Sequence, residues 1–326
     1  MNMKLLKGGS ASSVYLDEIH NEILKTVRVT DTNGFNHLRD QHCWMAYHKE
    51  ALPNYFPHIG DDFFKDGLYC YRMEFVEGKT LDKMLDNKFI ARNLLEDVMH
   101  TVVSISDIDF IPKGNTTFTT YIDRLKGHLR RLKKETIFVD MLMKKEFILV
   151  ENGVEKVIPN IDFIKFISML TSMTSYMDKQ YSNCHGDLTL ENIIINEYED
   201  FGCNRIKFID DNFIFNGWNS YLLDYSKIFQ SLHFNYEETF SDSSSLIIDD
   251  GKYLLTYNTE NVKIKEYLFG HGCGFFTDAV RDASLVLEVT HYIRMLIYKL
   301  AISQKDFIVA YIRTCQAYHE LKKRGS

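Results

Sequence analysis

Two short β-branched runs lie close together in this chain, Ile193-Ile194-Ile195 and Ile206-Lys207-Phe208-Ile209, with a polar stretch from Asn196 to Asn204 between them. Runs of this length bounded by turn residues read as the two strands of a buried hairpin. The first is led by His185-Gly186-Asp187-Leu188-Thr189-Leu190-Glu191-Asn192, and the second ends in Asp210. Such a hairpin brings Asp187, Asn192 and Asp210 to one end, so three oxygen-bearing side chains converge there. Mg²⁺ prefers hard oxygen ligands, usually one or two carboxylates plus substrate phosphates. The constellation therefore suits metal-bound phosphates held beside a base. The competing reading is a plain turn whose Asp and Asn make only local contacts.

The chain of 326 residues is long enough to bury a substantial core, as one large domain or two lobes. A net charge of -7 offers no excess of positive charge for nucleic acid, so no nucleic-acid partner is expected. The start, MNMKLLKGGSASS, lacks a signal peptide's apolar region, and no window approaches the roughly eighteen apolar residues of a membrane span. No membrane association and a cytoplasmic location are the expectation. Six cysteines, at 43, 70, 184, 203, 273 and 315, form no C-x-x-C pair and read as reduced, mostly buried residues.

Periodicity divides the chain near Gly78. Before it, Met3 to Leu6, Val14 to Ile19, Glu22 to Val29 and Leu68 to Val76 read as strands, interrupted by one helix from about Asn36 to Leu52 that stops before Pro53. After it the spacing is mainly helical: Leu81, Met84 and Leu85, then Leu94, Val98 and Val102, then Tyr121, Leu125, Leu129 and Leu132. Phe147 to Val150 and Val154 to Ile158 flank an Asn152-Gly153 turn and predict a small hairpin. Ile161 to Tyr181 predicts a helix leading into the 185–196 loop, and the last sixty residues read as helical. The expected fold class is α+β, with a β-rich lobe over 1–78 and a large helical lobe over 79–326.

The stretch 185–196 resembles the catalytic and metal-binding segments of the protein-kinase-like superfamily. It is closest to the aminoglycoside phosphotransferase and choline kinase branch, where HGD stands in place of HRD. The resemblance implies that Asp187 accepts the proton of a substrate hydroxyl, that Asn192 and Asp210 bind Mg²⁺, and that His185 supports the loop. Asp211 adjoins Asp210, and strand alternation favours Asp210 as the ligand. Asp224, in Leu223-Asp224-Tyr225-Ser226, matches the acid that bonds to the catalytic-loop backbone in those kinases.

In such folds ATP lies beneath the sheet of the first lobe. Gly8, Gly9, Ser10, Ser12 and Ser13 form a small-residue turn through which backbone N–H groups can approach phosphates, though a plain hairpin explains it equally well. Lys25, in Ile23-Leu24-Lys25-Thr26-Val27, occupies the position of the phosphate-binding lysine, and an inward lysine needs a partner. The acid expected to pair with it is not evident: Asp40, Gln41 and Glu50 all lie near the place. With Gln41 there, Lys25 would be held only by a neutral hydrogen bond and by nucleotide. Tyr71 to Leu81 resembles the strand-to-linker segment, where the backbones of Glu74 and Val76 would meet the adenine edge. Backbone contacts do not distinguish ATP from GTP.

Asp224 follows Asp210 by fourteen residues and no A-P-E motif appears, which leaves no room for a peptide-docking segment. The expected acceptor is a small molecule with a hydroxyl, a sugar, aminoglycoside or amino alcohol. Asp278, Asp282, Glu288 and His291 would suit a cationic acceptor; Arg124, Lys126, Arg130, Arg131, Lys133 and Lys134 would suit an anionic one. Both sets also read as solvated helix faces. The alternative function is a nucleotide-binding pseudokinase serving as an interaction module.

Overall fold

The computed structural model describes residues 3–6, 12–85, 87–108, 116–196, 205–212 and 217–324. Five antiparallel strands open the chain: β1 (Met3–Leu6), β2 (Ser13–Asp17), β3 (Glu22–Arg28), β4 (Ile59–Lys65) and β5 (Leu68–Glu74), in the order β1-β2-β3-β5-β4. Helix α1 (Thr32–Ala51) lies between β3 and β4. It begins four residues earlier than the sequence suggests because Asp31 caps it, its side chain accepting from Gly34 N. The second strand ends at Asp17 and not Ile19, because Asp17 Oδ1 accepts from Ile19 N and turns the chain. Strand β4 was not expected: it is an edge strand with both faces partly exposed, so its sequence lacks a clean alternation.

The chain then leaves this sheet. Strand β6 (Lys79–Thr80) pairs with β9 (Ile193–Ile195), which pairs with β10 (Ile206–Phe208) in the register Ile206 to Ile195 and Phe208 to Ile193. The hairpin expected from the two isoleucine-rich runs is therefore present, although its turn, 197–204, lies outside the described residues. Gly78 sits at φ +145°, and a Cβ there would fall 2.3 Å from the Ile195 carbonyl oxygen, so the crossing admits no side chain.

Helices supply most of the remainder: α2 (Lys88–Ser106), α3 (Phe118–Leu132), α4 (Thr136–Leu142), α5 (Phe163–Ser172), α6 (Thr174–Asp178), α7 (Tyr221–His233), α8 (Tyr236–Thr239), α9 (Val262–Phe275), α10 (Asp278–Ile302) and α11 (Gln304–Arg324). The single helix expected over 161–181 is two, broken at Met173. The hairpin at Asn152-Gly153 forms as β7 (Glu146–Glu151) and β8 (Val154–Pro159), but it does not stand alone. A second hairpin, β11 (Ser245–Asp249) and β12 (Lys252–Thr256), lays β12 parallel to β7. Ile247 and Ile248 are both exposed on β11, which hides its strand pattern in the sequence. Buried Arg313 of α11 ties this sheet to the helices by donating to Glu151 at 2.6 Å. Burial alone would raise the Glu151 carboxyl; Arg313 overrides it and holds the group down to about 2. Among the described residues no helix is long and apolar enough to cross a membrane.

Helix α1 joins the β-rich region to the helical one. Its Gln41 Nε2 donates to the Asp211 carbonyl at 3.0 Å, and the ring of His48 bonds to the Asp211 carboxylate with both side chains fully buried. Phe56 stacks on His48, centroid to centroid at 4.9 Å. Burial by itself would lower the His48 ring, but Asp211 reverses this and raises it above its ordinary value of 6.5. The folded state thus holds the proton more tightly than the unfolded one, so this stabilisation is full below about pH 6.5 and fades as pH rises through the raised value. We expect His48→Gln to cost on the order of 1–3 kcal/mol near pH 6. The difference in Tm from the parent should narrow as the pH is raised. A constant difference from pH 6 to pH 9 by differential scanning fluorimetry would remove the charged pair from this account.

Candidate active site

The loop before β9 is shaped by backbone contacts that point its side chains in fixed directions. Gly186 adopts φ +86°, and its N–H and that of His185 donate to the two oxygens of Asp224 at 2.7 and 2.9 Å. Asp224 comes from the first turn of α7 and is fully buried; burial pushes its carboxyl up to about 6 against the pull of His185 and the two N–H groups. His185 is also buried, its Nδ1 facing Asp187 N at 3.3 Å and its Nε2 facing the Ile209 carbonyl at 2.9 Å. The Nε2–H tautomer satisfies both contacts. Asn192 returns to the same loop, its Nδ2 donating to the Asp187 carbonyl at 2.7 Å. The amide of Asn192 therefore leaves Oδ1 as its atom for a cation.

Asp187 carries the partner that sequence reasoning missed. Lys227, from the second turn of α7, places Nζ 2.9 Å from Asp187 Oδ1. Burial by itself would raise the Asp187 carboxyl, and the Lys227 ammonium outweighs it, so the group lies below its ordinary value and is ionised at neutral pH. No local motif links the two residues, which stand forty positions apart.

Across the gap, Asp210 sits at φ +61°, a left-handed backbone that turns its side chain into the cleft while Asp211 turns into the core. The Asp210 carboxylate is 44% exposed and pairs with Lys25, which is 5% exposed. Lys25 Nζ also donates to Gln41 Oε1 at 3.0 Å, and the Tyr71 hydroxyl donates to the same oxygen at 3.0 Å. Gln41 thus occupies the place where an acid was sought. The expectation that Lys25 would have only a neutral bond and nucleotide is corrected, because Asp210 meets it directly. Burial works against the Lys25 charge, and Asp210 with Tyr71 more than restores it, raising the ammonium above its ordinary value. His37, one turn before Gln41 on α1, borders the same gap; burial and then Lys25 hold its ring below its ordinary value.

The remaining residues fall around this centre. Ser12 precedes β2 and Ser13 begins it, whereas Gly8, Gly9 and Ser10 lie outside the described residues. Glu74 ends β5, its N–H donating to the His58 carbonyl at 2.8 Å and its side chain accepting from His58 N at 2.9 Å. Val76 follows in the linker before β6. The acids considered for a cationic acceptor are not assembled. Asp278 and Asp282 both pair with Arg281, Glu288 is buried against His233, and His291 is buried against Ser226. Cys184 is buried, and burial raises its thiol well above the ordinary value, which suits packing and not nucleophilic attack.

Replacing Gln41 by Leu removes an acceptor from two buried donors and a donor from the Asp211 carbonyl. It should lower the unfolding free energy by about 1–3 kcal/mol, read as a fall in the urea midpoint. An unchanged midpoint would mean that Lys25 and Tyr71 do not depend on it.

No protein-family model matches the sequence, and no curated protein does. Solved structures do match over most of the chain. A putative fructosamine-3-kinase from Haemophilus somnus 129PT is 11% identical over 98% of this chain and 91% of its own, with a TM-score of 0.54. LicA in complex with AMP is 12% identical over 98% and 92%, with a TM-score of 0.53. Aminoglycoside phosphotransferase APH(3'')-Id from Streptomyces rimosus ATCC10970, in complex with ADP and streptomycin, is 14% identical over 90% and 92%, with a TM-score of 0.51. By fold, the chain is protein-kinase-like, in the form built by fructosamine kinases, aminoglycoside phosphotransferases and LicA.

Proposed function

We propose that the chain is an ATP-dependent, Mg²⁺-requiring kinase that transfers the γ-phosphoryl group to a hydroxyl of a small molecule. The observation that carries this reading is Asp187, kept ionised by Lys227 and placed on a rigid loop beside Asn192, facing the Lys25–Asp210 pair. The structural neighbours with bound ADP or AMP support a nucleotide in the same cleft.

Asp187 orients the acceptor hydroxyl and takes its proton. The hydroxyl oxygen forms a bond to the γ-phosphorus while the bond from that phosphorus to the bridging oxygen breaks, and ADP departs with the electron pair. Lys25, already charged in a buried position, contacts the α- and β-phosphates. Any contact from Glu74 to an adenine edge falls to its carbonyl, because its N–H serves His58. The residues present fit Mg²⁺: Asn192 Oδ1 and the half-exposed Asp210 carboxylate are hard oxygen donors. No group of three His, Cys, Asp or Glu among the described residues makes a self-sufficient metal cage. Asn192 and Asp210 would hold the ion, which when bound neutralises charge on the phosphates. Catalysis by such a site is mainly positioning and charge neutralisation.

A pseudokinase acting as an interaction module is the second reading, and the neutral Gln41 beside Lys25 is the observation in its favour. Slow hydrolysis of ATP without acceptor, set against a thermal shift with MgATP, separates the two. Asp187→Asn should abolish turnover on an acceptor panel with radiolabelled ATP and leave nucleotide binding nearly intact. Turnover at the parental rate would remove Asp187 from the mechanism. Asp210→Ala should lose the Mg²⁺-dependent part of nucleotide affinity by calorimetry, and an unchanged titration would exclude it as a metal ligand.

A further inference from the structure

Beyond Asp187, α10 packs against both α7 and α3. Ser226 Oγ and His291 Nε2 lie 2.7 Å apart, fixing α10 against α7 next to Lys227. Three residues further along α10, the Arg294 guanidinium rests 5.7 Å above the Tyr121 ring of α3. Tyr121 is held in turn by Thr290, hydroxyl to hydroxyl at 2.6 Å. Arg124 follows Tyr121 by three residues, and His128 lies one turn beyond. Arg294, Arg124 and Arg131 make no ion pair among the described residues, and the Arg294 Nε is buried without a hydrogen-bond partner.

Arg124 and Arg131 stand exposed on α3, whereas Arg294 is half-buried, and a buried donor left without a partner is costly. The strain registers on each neighbour. Burial and then Arg294 lower the Arg124 guanidinium, while burial followed by Arg294, Arg124 and Arg131 drives His128 down to about 4. Arg294 also acts on Asp187 and on His291. The carboxylates on the other side of Asp187 do not answer this charge. Glu237 and Glu238 each pair with Lys265 at 2.6 Å. Asp123, on α3 itself, pairs with Lys126 at 3.1 Å.

We propose that the acceptor carries an anionic group, a phosphate or a carboxylate, held by Arg294 and Arg124 while its hydroxyl lies at Asp187. The inference rests on reading Asp187 as the acceptor base. Planar guanidinium groups bind carboxylate and phosphate oxygens in pairs of parallel hydrogen bonds. An aminoglycoside or a quaternary amino alcohol would bring a second positive charge against Arg294.

The test titrates the full chain by calorimetry with glucose 6-phosphate, gluconate, inorganic phosphate, glucose and glucosamine, in saturating MgADP so that nucleotide contacts are already filled. Binding of at least one of the three anions is expected, with neither glucose nor glucosamine binding. Arg294→Met and Arg124→Met should each weaken it by about tenfold or more, the loss of one charge-assisted contact. Glucose 6-phosphate alone names the phosphate arm, and gluconate alone the carboxylate arm. Binding by glucosamine in preference to every anion, no anion binding, or anion affinity unchanged in both variants would overturn the proposal. ATP hydrolysis without acceptor is measured in parallel: its absence, with anion binding intact, defeats the kinase reading and not the anion site. Circular dichroism of the two variants guards against loss of fold.

Discussion

Two adjacent acids facing opposite ways govern the geometry of the cleft. Asp211 is fully buried and belongs to α1, through His48 and Gln41; Asp210, one residue earlier, belongs to the cleft, through Lys25. A β-strand would give this alternation by itself, but β10 has ended at Phe208, and it is the left-handed backbone of Asp210 that keeps the two apart. A non-glycine residue there costs on the order of 1–2 kcal/mol. The buried His48–Asp211 bond, the Gln41 bond to the Asp211 carbonyl and the Lys25 pair outweigh it. Since Asp211 anchors α1, and α1 carries Gln41, the position of Lys25 in the first sheet and that of Asp210 beyond the second are set by one short segment.

The 185–196 half of this arrangement was legible in the sequence because its signals are local. Asp187 and Asn192 share one loop, the isoleucine runs name the hairpin, and Asp224 follows at a short fixed distance. Lys227 was not legible. It reaches Asp187 across a turn of α7, and a lysine on an amphipathic helix gives the same pattern whether it meets water or a carboxylate. The β11–β12 hairpin escaped for a related reason: it is an addition to an edge, paired through β12 to a strand a hundred residues earlier, and its outer strand exposes both isoleucines.

The basic face of α3 shows how much a correct pattern leaves unsaid. Tyr121, Leu125, Leu129 and Leu132 are buried as their spacing requires, and the charges between them read as the wet side. Periodicity separates inside from outside and does not report which part of the outside another helix overhangs. Tyr121 lies on that overhung part, held by the Thr290 hydroxyl with the Arg294 guanidinium above its ring, and Arg124 follows it one turn on. The acids of α10 make the converse point. Asp278 and Asp282 look available along the sequence and are held by the arginine between them.

Gln41 in place of an acid changes the charge count of the cleft in a way that suits the proposed reaction. Lys25 and Asp210 are already a neutral pair, and Lys25 is too deeply buried to stand alone, since the penalty for an unpaired ion there is several kcal/mol. A carboxylate at Gln41 would add a negative charge next to Tyr71 and the Asp211 carbonyl, both of which need the present polarity of the amide: its oxygen accepts from Lys25 and Tyr71, and its nitrogen donates to Asp211. On the proposed reading, Asp210 and Asn192 would hold the cation, and Lys25 would meet the α- and β-phosphates. No second acid competes for the ammonium, and Gln41 holds the lysine throughout.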